Sequence, residues 1–115
     1  MNYGFIKVAS AVPSVKVADC KYNVEQIEQQ IILAEGQGVE IIVFPELSLT
    51  GYTCQDLFRQ NLLLETTESA MLMLLDFTRQ LNIISIVGLP IAVGDLLLNC
   101  AAIIQKGQIL GIVAK

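Results

Sequence analysis

With 115 residues, 54% of them hydrophobic and a mean hydropathy of +0.62, the chain has room for one globular domain at most. It also carries more apolar side chain than a domain of that size usually covers. Its formal net charge is −4 and its seven basic residues are scattered, which leaves no footprint for a phosphate backbone and excludes nucleic acid as an expected partner.

In chain order, residues 5–11 alternate apolar and small polar side chains and predict a first strand, ended by Pro13. Only Lys7 precedes the apolar stretch, without the basic opening and small-residue cleavage site of a signal peptide. Asn23 reads as an N-cap, with Gln26 placed to return a capping-box bond. Val24, Ile27, Ile31 and Ala34 recur at helical spacing, which predicts an amphipathic helix over 24–35 that Gly36 and Gly38 stop. Residues 40–44 predict a second strand, apolar on both sides from Ile41 onward, as suits a central strand covered by helices.

Residues 45–60 form a long connection at the C-terminal end of that strand, where function concentrates. A second helix is predicted over 66–81, capped by Thr66. Met71, Leu72, Met73, Leu74, Leu75 and Phe77 go nearly around it, which predicts burial on more than one side, with Met71 and Met73 as core filling. Residues 83–89 predict a third strand ended by Pro90. The uncharged run 80–94, broken by Gly88 and Pro90, is too short to cross a bilayer, so a soluble cytoplasmic protein without a membrane partner is expected. Residues 97–105 and 108–114 flank Lys106-Gly107, a two-residue turn with glycine second, and predict an antiparallel hairpin. Alternating β and α elements that end in a hairpin predict an α/β fold with a mixed sheet, and the surplus of apolar residues predicts the front part of a larger fold or an oligomer.

The chemistry concentrates where strands end. Glu46 follows the apolar run Ile41 to Phe44, at the carboxyl end of a strand, where open α/β sheets place their ligands. Lys115 closes the apolar strand 109–114 in the same way. Cys54 lies in the loop with Glu46, but nothing around it lowers its thiol pKa, and Cys20 and Cys100 read as small buried residues. Three widely spaced cysteines and no histidine exclude a disulfide framework, a zinc cluster and an imidazole triad within these residues. The first strand leads into Ala11-Val12-Pro13-Ser14 rather than a glycine-rich G-x-G-x-x-G turn, so a bound dinucleotide is not expected.

Phe44-Pro45-Glu46-Leu47 with Thr50-Gly51-Tyr52 resembles the first catalytic motif of the carbon-nitrogen hydrolase (nitrilase) superfamily. Lys115 after Gly111-Ile112-Val113-Ala114 resembles the second, and Asn23 and Leu98-Asn99-Cys100-Ala101 fit the same pattern, so the resemblance covers the chain. It implies an α-β-β-α four-layer sandwich, of which residues 1–115 form a partial domain, and a Glu-Lys-Cys triad that hydrolyses amides. Such chemistry needs a thiolate, a group to take and return protons, and a fixed positive charge at the oxyanion. The resemblance assigns Glu46 as general base and acid, working near neutral pH once burial and a neighbouring cation tune it. It assigns Lys115 to oxyanion stabilisation and places the nucleophile in a third motif downstream of the lysine, outside this chain. Tyr52 would shape the substrate pocket, or else be a packing aromatic with a satisfied hydroxyl.

Within the superfamily, the run from Pro45 to Tyr52 followed by Gln55-Asp56-Leu57-Phe58 is most similar to glutaminase domains. These release ammonia from glutamine for a C-terminal synthetase domain, which uses ATP and Mg2+ to amidate nicotinate adenine dinucleotide. The glutaminase domain itself is expected to need no cofactor or metal, to belong to a homo-oligomer, and, as this chain alone, to be inactive. The alternatives are another amidase of the superfamily, such as an ω-amidase, carbamoylase or aliphatic amidase, and a non-catalytic α/β module that uses its apolar surface for assembly. On that last reading the charged ends of Glu46 and Lys115 lie far apart; taken singly, Glu46 reads otherwise as a solvated carboxylate and Lys115 as a solvated terminal lysine.

Overall fold

The computed structural model describes residues 4–51, 61–94 and 96–114. Two short strands, β1 (Val8–Ser10) and β2 (Ile41–Val43), pair in parallel. Glu40 N–H donates to Lys7 O at 2.8 Å and Ala11 N–H to Val43 O at 3.0 Å, so backbone pairing reaches a residue beyond each strand. Between them runs α1 (Cys20–Gly36), which buries Val24, Ile27, Ile31 and Ala34, the stripe that the sequence spacing predicts.

The start of α1 differs from expectation. Asp19 is the N-cap, its Oδ1 accepting from Tyr22 N–H at 3.1 Å, and the helix therefore begins a turn earlier. Asn23 lies inside the helix, fully buried, and its side chain serves other backbone groups. Oδ1 accepts from Lys16 N–H at 2.7 Å, while Nδ2 donates to Lys16 O at 2.8 Å and Leu49 O at 3.0 Å.

The second helix, α2 (Asn61–Phe77), also begins earlier than predicted and ends in a 3-10 turn, Thr78–Gln80. Thr66 is an internal residue of it and not its cap. Ala70, Met71 and Leu74 are buried, but Leu72 is 60% exposed and Met73 43%, so burial on more than one side is corrected to a single stripe. The stripe is single because the described partners of α2, the sheet and α1, lie along one side of it.

Three long strands complete the sheet: β3 (Ile84–Val93), β4 (Leu96–Gln105) and β5 (Gln108–Ala114). The sheet order is β1-β2-β3-β4-β5, parallel up to β3 and antiparallel beyond it, the mixed sheet expected. Lys106 and Gly107 adopt φ 52° and 77°, the left-handed pair that a two-residue hairpin turn requires. Pro90 does not end β3 but sits inside it, opposite Asn99. Past Ile86 the β2 side of β3 meets a loop instead of a strand, so a missing N–H there breaks no β2–β3 ladder bond.

Val24, Ile27 and Ile31 of α1, Met71 and Leu74 of α2, and Ile42, Val87, Leu89 and Ile104 of the sheet form one core. Each such side chain contributes about 1.5–3 kcal/mol by leaving water. On the opposite sheet face Val8 is 63% exposed, Val43 41% and Val113 59%, and Ile41, Ile84, Ile86 and Ile103 are half-buried. The expectation of β2 covered on both faces is thus corrected: among the described residues, helices cover one face only. No helix among them is long and apolar enough to cross a membrane.

Candidate active site

After β2 the chain leaves the sheet through Phe44, whose side chain is buried in the core and whose N–H donates to Ile86 O at 2.9 Å. Pro45 follows, then Glu46, and the backbone turns sharply at Leu47, which has φ 53°. A non-glycine residue in the left-handed region costs roughly 1–3 kcal/mol. Leu47 offsets that by burying its side chain, and its carbonyl accepts from Thr50 N–H at 3.2 Å and Gly51 N–H at 2.8 Å.

The loop is tied down on three sides. Toward β3, Leu49 N–H donates to Gly88 O at 3.1 Å and Gly88 N–H donates to Ser48 Oγ at 3.2 Å. Toward α1, Leu49 O accepts from Asn23. Toward the segment before α1, Ala18 N–H donates to Thr50 O at 2.7 Å. The approach to β3 is so close that a Cβ at Gly88 would lie 2.4 Å from Leu47 N, 2.9 Å from Pro45 O and 3.0 Å from the carbonyl carbon of Glu46. Glycine at 88 is what lets the Glu46 loop seat there.

Glu46 is half-buried, and its Oε1 accepts a hydrogen bond from Asn99 Nδ2, a side chain of β4. Asn99 is half-buried, and the next residue, Cys100, pairs with Ala114, the last residue of β5. Glu46 thus stands where the sequence places it, at the carboxyl end of a parallel strand. An amide donor fixes a carboxylate without adding a charge of its own.

Tyr52, Cys54 and Lys115 lie outside the described residues. Cys20 is buried with Sγ 3.5 Å from Thr67 Oγ1. Cys100 is buried as well, and burial pushes its thiol pKa up, the reverse of what a nucleophile needs. Both behave as the small buried residues expected. Among the described residues no group of three or more carboxylate, thiol or imidazole side chains is placed to hold a metal ion. Sequence reasoning gave no role to Gly88 and noted Asn99 only as part of a pattern. The available signals were a glycine inside an apolar strand and one amide in the apolar run of β4.

The family model described as carbon-nitrogen hydrolase matches residues 7–115. A glutamine-dependent NAD(+) synthetase of Mycobacterium leprae (strain TN) is 31% identical over 114 residues, covering 99% of this chain and 17% of that protein. The crystal structure of a glutamine-dependent NAD(+) synthetase from Cytophaga hutchinsonii superposes with a TM-score of 0.88 at 30% identity, over 96% of this chain and 19% of that one. An amidase from Nesterenkonia sp., 21% identical, shares the fold with a TM-score of 0.84 over 96% of this chain and 42% of its own. The chain therefore spans less than a fifth of the M. leprae relative.

Proposed function

The chain belongs to the carbon-nitrogen hydrolase family, and from that premise we propose that it is the N-terminal part of the glutaminase domain of a glutamine-dependent NAD synthetase. The observation that carries the reading is Glu46, held by Asn99 in a loop tied to β3 and α1. The similarity to NAD synthetases over nearly the whole chain supports glutamine as the amide.

In this reading Glu46 takes the proton of a cysteine thiol supplied by a downstream motif and delivers it to the departing ammonia. The thiolate attacks the glutamine carboxamide, ammonia leaves, and a water activated by the same carboxylate hydrolyses the thioester. Lys115 stabilises the oxyanion, a contribution on the order of 3–4 kcal/mol, and Tyr52 shapes the glutamine pocket. Support for the lysine is that the described part of β5 ends at Ala114, paired with the neighbour of Asn99. Ammonia passes to a C-terminal synthetase domain, where ATP and Mg2+ act, for amidation of nicotinate adenine dinucleotide. The assembly is a cytoplasmic oligomer, and the uncovered sheet face takes the second sheet of the sandwich.

The test uses the intact gene product and follows NAD formation with glutamine or with ammonium as nitrogen source. Glu46→Gln is expected to lower the glutamine-dependent rate at least about 100-fold and to leave the ammonium-dependent rate intact. Glutamine-dependent turnover within threefold of the parent would remove Glu46 from the chemistry.

A further inference from the structure

We propose that Asn99 is the positioning residue of Glu46: its amide fixes the carboxylate so that the proton-accepting oxygen stays aimed at the nucleophile. The inference rests on the glutaminase reading and adds to it a residue whose role the motifs do not state.

Three observations carry it. The first is the contact itself, Asn99 Nδ2 donating to Glu46 Oε1 across 53 residues of sequence. The terminal torsion of a glutamate is broad and roughly two-fold, and a donor from a paired strand on one oxygen narrows the directions that the carboxylate can take.

The second is the mounting of Asn99. It stands on β4, which is hydrogen-bonded along its length to β3 and, from Cys100 onward, to β5, and its short side chain reaches the loop from a paired strand. A site held by a strand is placed more accurately than one held by a loop alone. Glu46 is the complement, a residue of a loop that is tied down at Phe44 and Leu47 on either side, with its side chain extending to another element.

The third is chemical type. Asn99 is one polar residue in the run Leu96-Leu97-Leu98-Asn99-Cys100-Ala101-Ala102-Ile103-Ile104, and a half-buried amide in such a strand incurs a desolvation cost unless it is bonded. An asparagine neither titrates nor carries charge, so it can hold Glu46 in both its ionised and its protonated state through a catalytic cycle. A lysine or arginine at 99 would compete for the proton balance, and an aspartate would set two carboxylates against each other.

The experiment compares Asn99→Leu, near in volume but without a donor, and Asn99→Ser, which restores a shorter donor, in the intact gene product. The readouts are steady-state hydrolysis of glutamine and, in parallel, of a small aliphatic amide. A misplacement of about 1 Å at a reacting group costs about 100-fold. Asn99→Leu is therefore expected to lower kcat roughly 30- to 100-fold with KM changed less than about threefold, and Asn99→Ser to recover part of the loss. A merely structural Asn99 would lower Tm and leave the kcat of the folded fraction unchanged. Retention of kcat within twofold in Asn99→Leu overturns the proposal. A parent protein that hydrolyses only the aliphatic amide refutes the glutamine reading instead, and the Asn99 ratio is then read on that amide. The crystal structure of Asn99→Leu is a readout independent of turnover. A Glu46 carboxyl group rotated or spread over several rotamers is expected, and one unchanged in orientation overturns the positioning role.

Discussion

Replacing Gly88 by alanine is the sharpest test of how the Glu46 loop is seated. The added Cβ would stand 2.4 Å from Leu47 N, and an ordinary contact begins at 3.4 Å, so the loop must retreat by about 1 Å or β3 must bend. The colliding atoms are all backbone, Leu47 N, Pro45 O and the Glu46 carbonyl carbon, so no rotamer change relieves the clash. A retreat of that size stretches the 3.1 Å bond from Leu49 N–H to Gly88 O and the 3.2 Å bond from Gly88 N–H to Ser48 Oγ. Overpacking costs about 1–3 kcal/mol and each lost hydrogen bond about 1 kcal/mol. With both bonds lost, the expected loss is about 3–5 kcal/mol, a fall in Tm of roughly 6–20 °C at the roughly 2–4 °C per kcal/mol of a domain of 150–250 residues. Because Glu46 moves with the loop, kcat for glutamine hydrolysis should fall by about 100-fold. The assays are thermal denaturation and steady-state ammonia release on the intact gene product. Gly36→Ala, where the new Cβ meets nothing within 4 Å, is the control: kcat should stay in place, and Tm should hold or rise slightly because the site is helical. A Gly88→Ala protein with Tm within 1 °C and kcat within twofold of the parent would refute the close approach as the reason for glycine.

Asn23→Leu leaves the buried Leu49 carbonyl and the part-buried Lys16 N–H without the side chain that serves them; an unpaired buried group costs about 1–3 kcal/mol. Urea denaturation should show a loss of at least about 2 kcal/mol, and an unchanged midpoint would mean that water replaces the side chain without penalty. Glu28→Gln tests the electrostatics of α1. Burial first, and repulsion by Glu25 second, raise the Glu28 carboxyl pKa above its ordinary value. An acid raised in this way destabilises the fold when ionised: the penalty is absent below the unfolded value, grows as pH rises through the folded one, and is complete above it. Glu28→Gln should therefore raise Tm at pH 7, with a gain that vanishes as pH falls below the ordinary carboxylate range; a pH-independent gain would point to packing instead.

What could be read without coordinates was whatever is decided within a few residues. The buried stripe of α1, the Lys106-Gly107 turn and the position of Glu46 after an apolar run follow from local periodicity and turn geometry, and the structure has all three. The failures share a cause. Asp19 and Asn23 are both competent caps, and the choice between them depends on which side chain finds the part-buried Lys16 O and the buried Leu49 O, which only the folded chain brings near. Pro90 ends a strand whose N–H is needed, and whether it is needed depends on what lies at that edge. The apolar residues of α2 go most of the way around the helix, yet Leu72 and Met73 face outward because nothing among the described residues covers them. The Glu46 partner was out of reach for the same reason, since a contact across 53 residues leaves no periodic trace.

The sheet joins two kinds of connection, and this sets an order of assembly. β3, β4 and β5 follow one another through tight turns, with Val93 opposite Leu96 and Gln105 opposite Gln108, so they can zip together on the microsecond scale of hairpins. β1 and β2 must each wait for a helical crossover before they meet a neighbour in parallel, a slower closure because long loops are costly to pin. Glu46 hangs from the slow half and Asn99 from the fast one. The carboxylate is consequently expected to be among the last groups set during folding, docking onto a meander already in place. In pulse-labelled hydrogen exchange the amides of β4 should gain protection before that of Leu49.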